Sequence, residues 1–325
     1  MINEISNYEM LSRFQNKKCY FGLGLYTNQK IFFKEFNSPL DKEKEIKGYQ
    51  TVKRYYVVPQ MVSSVDNTII YEYKDELINS SLYEYLYFDI GNINLEGILN
   101  QYKNSLKNIK KINEKDTFNN KFFKDRIKMI DQYLLLINDL NLSNQFNEMK
   151  KVIQEDKKLH AFISQGDPTD TNISTNGCFT DFENGGYNSL VGEIAIFIVS
   201  ILTHGGYFYP KYNSNVYQIR SNYKVNTTIK DKNKTLIIAY LNMIKNNVSK
   251  DIIDEINKYL KYYICFRLVT PLDVTQMDED DQNIIFSLFE IFFQIENIDE
   301  LINLISNWDI SYIDNNLYHS KRGYL

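Results

Sequence analysis

A turn-rich island, Phe162 to Gly186 (FISQGDPTDTNISTNGCFTDFENGG), interrupts a long helical pattern and restricts the fold more than any other feature. Apolar residues recur at helical spacing before it, at Leu95, Ile98, Leu99, Tyr102, Leu106 and Ile109, and at Phe123, Ile127, Ile130, Leu134 and Ile137. They do so again after it, at Val191, Ile194, Ala195, Ile198 and Ile201, and further on around Ile252–Leu260 and Ile284–Phe292. A chain patterned this way cannot be a plain helix bundle, because a β element must sit inside its helical body. The first third reads differently. Cys19–Tyr26 and Ile31–Phe36 are strand candidates around a turn at Thr27-Asn28-Gln29-Lys30. Pro39 and Asp41 open a Lys- and Glu-rich helix running to about Tyr55, and Thr68–Tyr73 is another strand. The expected architecture is α+β and two-lobed: a small antiparallel-sheet lobe with one helix over residues 1–74, and a larger, mainly helical lobe over 75–325.

Within the island, Asn176-Gly177 is the strongest short hairpin signal in the chain. If those two residues form the whole loop, Thr175 faces Cys178, Ile173 faces Thr180, and Asn172 faces Asp181. Opposed residues hold their Cβ atoms about 4.5–5.5 Å apart. An amide oxygen and a carboxylate at the open end of a hairpin suit a hard cation such as Mg2+, which shares oxygen ligands with phosphates. Asp167 lies five residues before Asn172, in a loop with Gly166 and Pro168 that can return its carboxylate to the same end. A carboxylate beside such a site suits activation of a hydroxyl. Lys34, in the apolar strand Ile31–Phe36, is a second anomaly, since a buried ammonium group needs a partner.

Gln165-Gly166-Asp167, then Asn172, then Asp181-Phe182-Glu183 resembles the aminoglycoside phosphotransferase and choline kinase family, which shares the protein-kinase fold. The usual pattern there is His-Gly-Asp, four residues, Asn, a short hairpin, and Asp-Phe/Trp-Glu; Gln165 stands here in place of the His. The resemblance implies transfer of the γ-phosphoryl group of ATP (or GTP) to a hydroxyl of a small molecule, whether aminoglycoside, amino alcohol, sugar or nucleoside. It implies Asp167 as catalytic base and Asn172 and Asp181 as Mg2+ ligands. It implies that Lys34 meets the α- and β-phosphates and pairs with a helix glutamate. Glu45 is the expected partner, because Tyr49, Val52 and Tyr56 continue its face of the helix; Glu43 is the alternative. Glu72 and Tyr73 are expected to meet the purine through their backbone, and Asn16, in the turn Phe14–Lys18, to lie over the phosphates. Glu193 is expected to be scaffold. No Asp-Phe-Gly or Ala-Pro-Glu pair brackets an activation segment, which argues against a protein kinase. A non-catalytic nucleotide-binding relative is the other alternative.

Lys and Arg number 37 against 41 Asp and Glu, a net charge of -4, which argues against nucleic-acid binding. Cys19, Cys178 and Cys265 form no Cys-x-x-Cys pair, so neither a zinc site nor a disulfide framework is indicated. Met1 is followed by Ile-Asn-Glu-Ile rather than by a basic and then an apolar stretch, and the apolar run near Ile194–Leu202 is too short to span a bilayer. A cytoplasmic protein without membrane contact is expected; oligomeric state is not legible. Gly205–Tyr212 is an aromatic loop candidate for the acceptor pocket, and the acidic run Asp278–Asp281 reads as the start of a helix.

Overall fold

The computed structural model describes residues 5–10, 19–74, 80–203, 217–218, 231–270, 279–308 and 318–319. Five antiparallel strands form the N-terminal sheet: β1 (Ile5–Met10), β2 (Cys19–Tyr26), β3 (Gln29–Phe36), β4 (Met61–Val65) and β5 (Thr68–Glu72), ordered β1-β2-β3-β5-β4. Thr27 and Asn28 both take positive φ, so β2 and β3 are joined by the two-residue turn whose twist matches the strands. Helix α1 (Pro39–Val52) starts with proline at its first position, where a missing N–H costs nothing. Its buried residues, Glu45, Gly48, Tyr49 and Val52, make a single stripe facing the sheet. Glu43 is exposed on another face. Strands β1 and β4 carry no clear alternation and were not expected from sequence.

The sheet is apolar on both faces. Ile31, Phe33, Ile70 and Ile5 form a small separate core on one side. Phe32, Phe36, Ile69 and Tyr71 join the main core on the other, under α1. Lys34 lies two residues from both Phe32 and Phe36 along β3, so it shares their face and points into that second, interior side.

The rest is mainly helical around a three-stranded sheet, apart from a short antiparallel pairing of Tyr217–Gln218 with Tyr318–His319. In order come α2 (Leu82–Phe88), α3 (Leu95–Leu106), β6 (Lys110–Asn113), α4 (Phe118–Asp125), α5 (Ile127–Leu134), α6 (Leu140–Gln154), β7 (Lys158–Ser164), β8 (Gly186–Ser189), α7 (Leu190–Thr203), α8 (Asp231–Asn247), α9 (Lys250–Val269), α10 (Glu279–Phe293) and α11 (Ile298–Ser306). Strand β7 lies between β6 and β8, antiparallel to both. Helix α7 is buried from Leu190 to Ile201, as a helix apolar all round must be. It backs the loops that follow β7. Two of the periodic stripes are shorter than the sequence suggests. Ile109 falls beyond α3, and the stripe from Phe123 to Ile137 is broken at Arg126, which ends α4, while Ile137 lies past α5. At that break Arg126 Nη1 donates to the Thr270 carbonyl at the end of α9 (2.6 Å). The acidic run does open a helix, with α10 beginning at Glu279. Among the described residues no helix is long and apolar enough to cross a membrane.

Glycine is needed at one helical position. A Cβ on Gly48 would lie 1.8 Å from the Phe182 carbonyl oxygen, so α1 presses directly on the backbone after Asp181. Replacing an interior helical glycine with alanine ordinarily stabilises by about 1 kcal/mol. Here we expect the reverse for Gly48→Ala, a loss of about 1–3 kcal/mol from overpacking against backbone. A thermal melt reads the sign; an unchanged or raised midpoint means the loop yields without cost.

Candidate active site

Three elements converge on Lys34. Its Nζ lies 2.6 Å from Glu45 Oε1 and 2.7 Å from Asp181 Oδ1, with the lysine side chain only 2% exposed and Glu45 fully buried. Burial alone would lower the Lys34 pKa, but the charges of Asp181 and Glu45 outweigh it and raise it, so the ammonium form is held. Glu45 receives two more donors, the Tyr71 hydroxyl (3.0 Å) and the Phe182 backbone N–H (2.9 Å). Burial pushes the Glu45 carboxyl upward against the pull of Lys34. With three donors aimed at its two oxygens, the carboxylate is the form this geometry accommodates, since a proton there would oppose one of them. Tyr49, Tyr71 and Phe182 pack ring to ring around the group, at centroid distances of 5.4 to 6.3 Å. Asp181 takes a left-handed φ of 62° and remains 35% exposed, the open member of the trio.

Asp167 and Asn172 sit in the loop between β7 and the hairpin. The Asn172 Nδ2 donates to the Asp167 carbonyl (2.9 Å), which turns its Oδ1 away from that bond as an acceptor. The hairpin register differs from the sequence expectation. Ile173 pairs with Phe179, Ser174 N donates to the Cys178 carbonyl, and Thr180 N donates to the Asn172 carbonyl. Asn172 therefore faces Thr180, and Asp181 lies one residue farther on. The loop has three residues rather than two. Gly177 donates to the Ser174 carbonyl and takes φ 78°, so the turn is Ser174–Gly177 with glycine in the left-handed place at its end. The tip is held from outside, because Gln101 Nε2 donates to the Gly177 carbonyl (2.9 Å). The amides of Leu82 and Tyr83 at the start of α2 donate to Ile173 and Asp170.

Gln165 joins the two loops. Its Oε1 accepts from the Asp167 amide (2.9 Å), while its Nε2 donates to the carbonyls of Thr180 (2.9 Å) and Asp181. The residue that departs from the family pattern thus braces Asp167 and Asp181 against each other. Asp167 itself is half-buried. Burial pushes its carboxyl up, Arg267 pulls it down, and the charges of Asp181 and Glu183 add to the rise. Arg267, exactly one hundred residues on in the chain, was not singled out from sequence; its Nη2 lies 3.4 Å from Asp167 Oδ1. Tyr71, seen only as part of the purine-facing strand, was missed as a donor to Glu45. An apolar stripe does not reveal where a phenol hydroxyl ends.

At the end of β5, the amides of Glu72 and Tyr73 already donate to Gln60 (2.8 Å) and Lys30 (3.1 Å). A purine edge meeting this strand end through these two residues would use their carbonyls rather than their amides. Asn16 with its turn, and Gly205–Tyr212, lie outside the described residues. Beneath the loop, on α7, Glu193 is fully buried, and neither carboxyl oxygen completes a hydrogen bond among the described residues. Burial pushes it up to about 8, with the Asp167 charge adding. Ser200, two turns on, bonds both the Asp170 carboxylate and amide (3.0 Å each). The expectation that Glu193 is scaffold concerns this helix-to-loop support.

No family model matches the chain, and no curated protein matches it in sequence. Solved structures share its fold. Aminoglycoside phosphotransferase APH(4)-Ia aligns with a TM-score of 0.50 at 10% identity, over 90% of this chain and 94% of that one. A thermostable mutant of it, in ternary complex with ADP and hygromycin B, aligns with a TM-score of 0.50 at 9% identity, over 89% and 94%. Choline kinase from Cryptosporidium parvum Iowa II gives 0.49 at 12% identity, over 95% and 94%. The chain has the two-lobed, kinase-like fold of these phosphotransferases, the fold class expected from its sequence.

Glu193 generates a pH prediction. The folded protein holds its proton up to about 8, whereas the ordinary value is 4.5, so the unfolded chain releases it first. Its contribution to stability is therefore greatest at low pH, falls as pH rises through that window, and levels off above it. Each pH unit in the window is worth about 1.4 kcal/mol at most. Glu193→Gln should gain on wild type in melting temperature between about pH 5 and about pH 8. Parallel curves for the two proteins would show that Glu193 does not titrate this way.

Proposed function

We propose that this chain is an Mg2+- and ATP-dependent phosphotransferase acting on a hydroxyl of a small molecule, with residues 1–74 binding the nucleotide and 75–325 carrying the catalytic groups and binding the acceptor. The observation that carries the reading is the convergence of Lys34, Glu45 and Asp181 with the Gln165-braced loop of Asp167 and Asn172. Phosphoryl transfer asks mainly for positioning and charge neutralisation, and this group supplies both. The fold shared with a phosphotransferase solved with ADP supports nucleotide binding. Either adenine or guanine fits this reading.

Each residue has a task. Lys34, kept charged and aimed by Glu45, binds the α- and β-phosphates of the nucleotide. Tyr71 and the Phe182 amide hold Glu45 in turn. With a metal bound, Asp181 would share its carboxylate between the ion and Lys34. Together with the Asn172 oxygen it offers two hard oxygen ligands, and phosphates and water are the usual remaining partners of Mg2+. Bound there, Mg2+ would neutralise charge on the transferring phosphate. Asp167 accepts the hydrogen bond of the acceptor hydroxyl and takes its proton. Its raised pKa makes it a stronger base than an ordinary carboxylate. The acceptor oxygen forms a bond to the γ-phosphorus as the bond to the β-phosphate oxygen breaks. ADP and a phosphate ester are the products, and Asp167 returns its proton to solvent. A small acceptor is favoured over a peptide because only Asn184 and Gly185 separate Glu183 from β8, which runs straight into α7.

We expect Asp167→Asn to lower turnover about 10²- to 10⁴-fold, the range for losing a general base, while MgATP binding persists. Asp181→Asn should instead weaken Mg2+-dependent nucleotide binding. ADP release and calorimetric titration of MgATP separate the two. Full turnover in Asp167→Asn removes the base assignment; MgATP binding with no turnover across a broad hydroxyl library favours a non-catalytic relative.

A further inference from the structure

The charge around Asp167 is divided by origin. Asp181 and Glu183, from the segment after the hairpin, act on it as negative neighbours. Arg267 and Arg126, from the helical lobe, act as positive ones. Arg267 occupies the last turn of α9, and Arg126 Nη1 is anchored to the carbonyl of Thr270, three residues on at the same helix end. Two guanidinium groups are thereby gathered at the C-terminal turn of α9, where the helix dipole favours cations. The Arg267–Asp167 contact is 3.4 Å, longer than the roughly 2.7–2.9 Å of a full charge-assisted bond. The Arg267 guanidinium thus stands beside the base.

An acceptor hydroxyl in hydrogen-bond reach of Asp167 must lie within a few ångströms of Arg267. An ammonium or polyamine acceptor would meet like charge there. A carboxylate or phosphate would meet planar donors suited to two-point binding. We propose that the acceptor is an anionic alcohol, whose oxyanion is held by Arg267 with Arg126 while its hydroxyl meets Asp167. The proposal rests on the phosphotransferase reading for the identity of the site. Its products are ADP and an acceptor that carries a second anionic group, now a phosphate ester, with the hydroxyl proton passed to Asp167.

Four matched alcohols test it: D-glycerate, glycerol 3-phosphate, neutral glycerol and cationic ethanolamine. Each is titrated by calorimetry into the full chain with Mg2+ and a non-hydrolysable ATP analogue, and also without nucleotide; ADP release is measured with MgATP. One or both anions should bind at least about tenfold more tightly than glycerol, and ethanolamine more weakly still. Which anion wins distinguishes carboxylate from phosphate. Arg267→Gln should weaken the preferred anion by roughly 30-fold or more and leave glycerol within about twofold, with Arg267→Lys between the two. Preference for ethanolamine, equal weakening of every ligand in Arg267→Gln, or binding of none overturns the proposal. Arginine-dependent anion binding without ADP formation leaves the anion site standing and removes the phosphotransferase reading. Turnover of glycerol or ethanolamine without anion preference does the opposite.

Discussion

Lys34 would be intolerable in the interior without its two carboxylates. An ammonium group 2% exposed on an apolar strand needs compensating charge, and it takes that charge from two separate parts of the fold, α1 through Glu45 and the post-hairpin loop through Asp181. The pairing therefore locates three elements at once. Helix α1 must present one face to the sheet, and the loop must reach under that helix. The hairpin before the loop must end where Asp181 can bend toward β3. Breaking a buried pair by removing one partner typically costs several kcal/mol, because it leaves a bare charge. That penalty makes the arrangement specific, whatever its net contribution to stability.

The supports of the trio are mostly backbone. Glu45 binds the Phe182 amide, Gly48 lets α1 approach the Phe182 carbonyl, and Tyr49 packs its ring on the Phe182 ring. Three residues on one face of a single helix thus grip one residue. Behind the loop, helix α7, buried from Leu190 to Ile201, offers Glu193 and Ser200 as polar side chains. The open groups, Asp167, Asn172 and Asp181, are thereby carried on loops whose frames are rigid. Such placement suits a site that must hold geometry while exchanging ligands.

Much of this was legible in the chain. Strands β2, β3 and β5, helix α1 and the helical stripes follow from local pattern, and a lysine among Ile31–Phe36 announced its need for a partner. Glu45 over Glu43 followed from a single helical face. The hairpin was found from Asn176-Gly177, yet its register was not, because the same dipeptide also closes a three-residue loop with glycine at the end. Arg267 and Tyr71 were beyond reach for another reason. Their importance lies in where a long side chain ends across the fold, and neither periodicity nor spacing encodes that. The break at Arg126 was hidden because the apolar stripe runs through it without interruption.

The amide of Gln165 carries no ionisable proton. An imidazole in its place would switch from one N–H to two in mild acid and would alter what it could accept from the Asp167 amide. The carboxamide offers the same acceptor to Asp167 and the same donors to Thr180 and Asp181 in acid and in base. The spacing between the two loops is thereby insulated from proton concentration, and any acid sensitivity of the site is left to the carboxylates themselves.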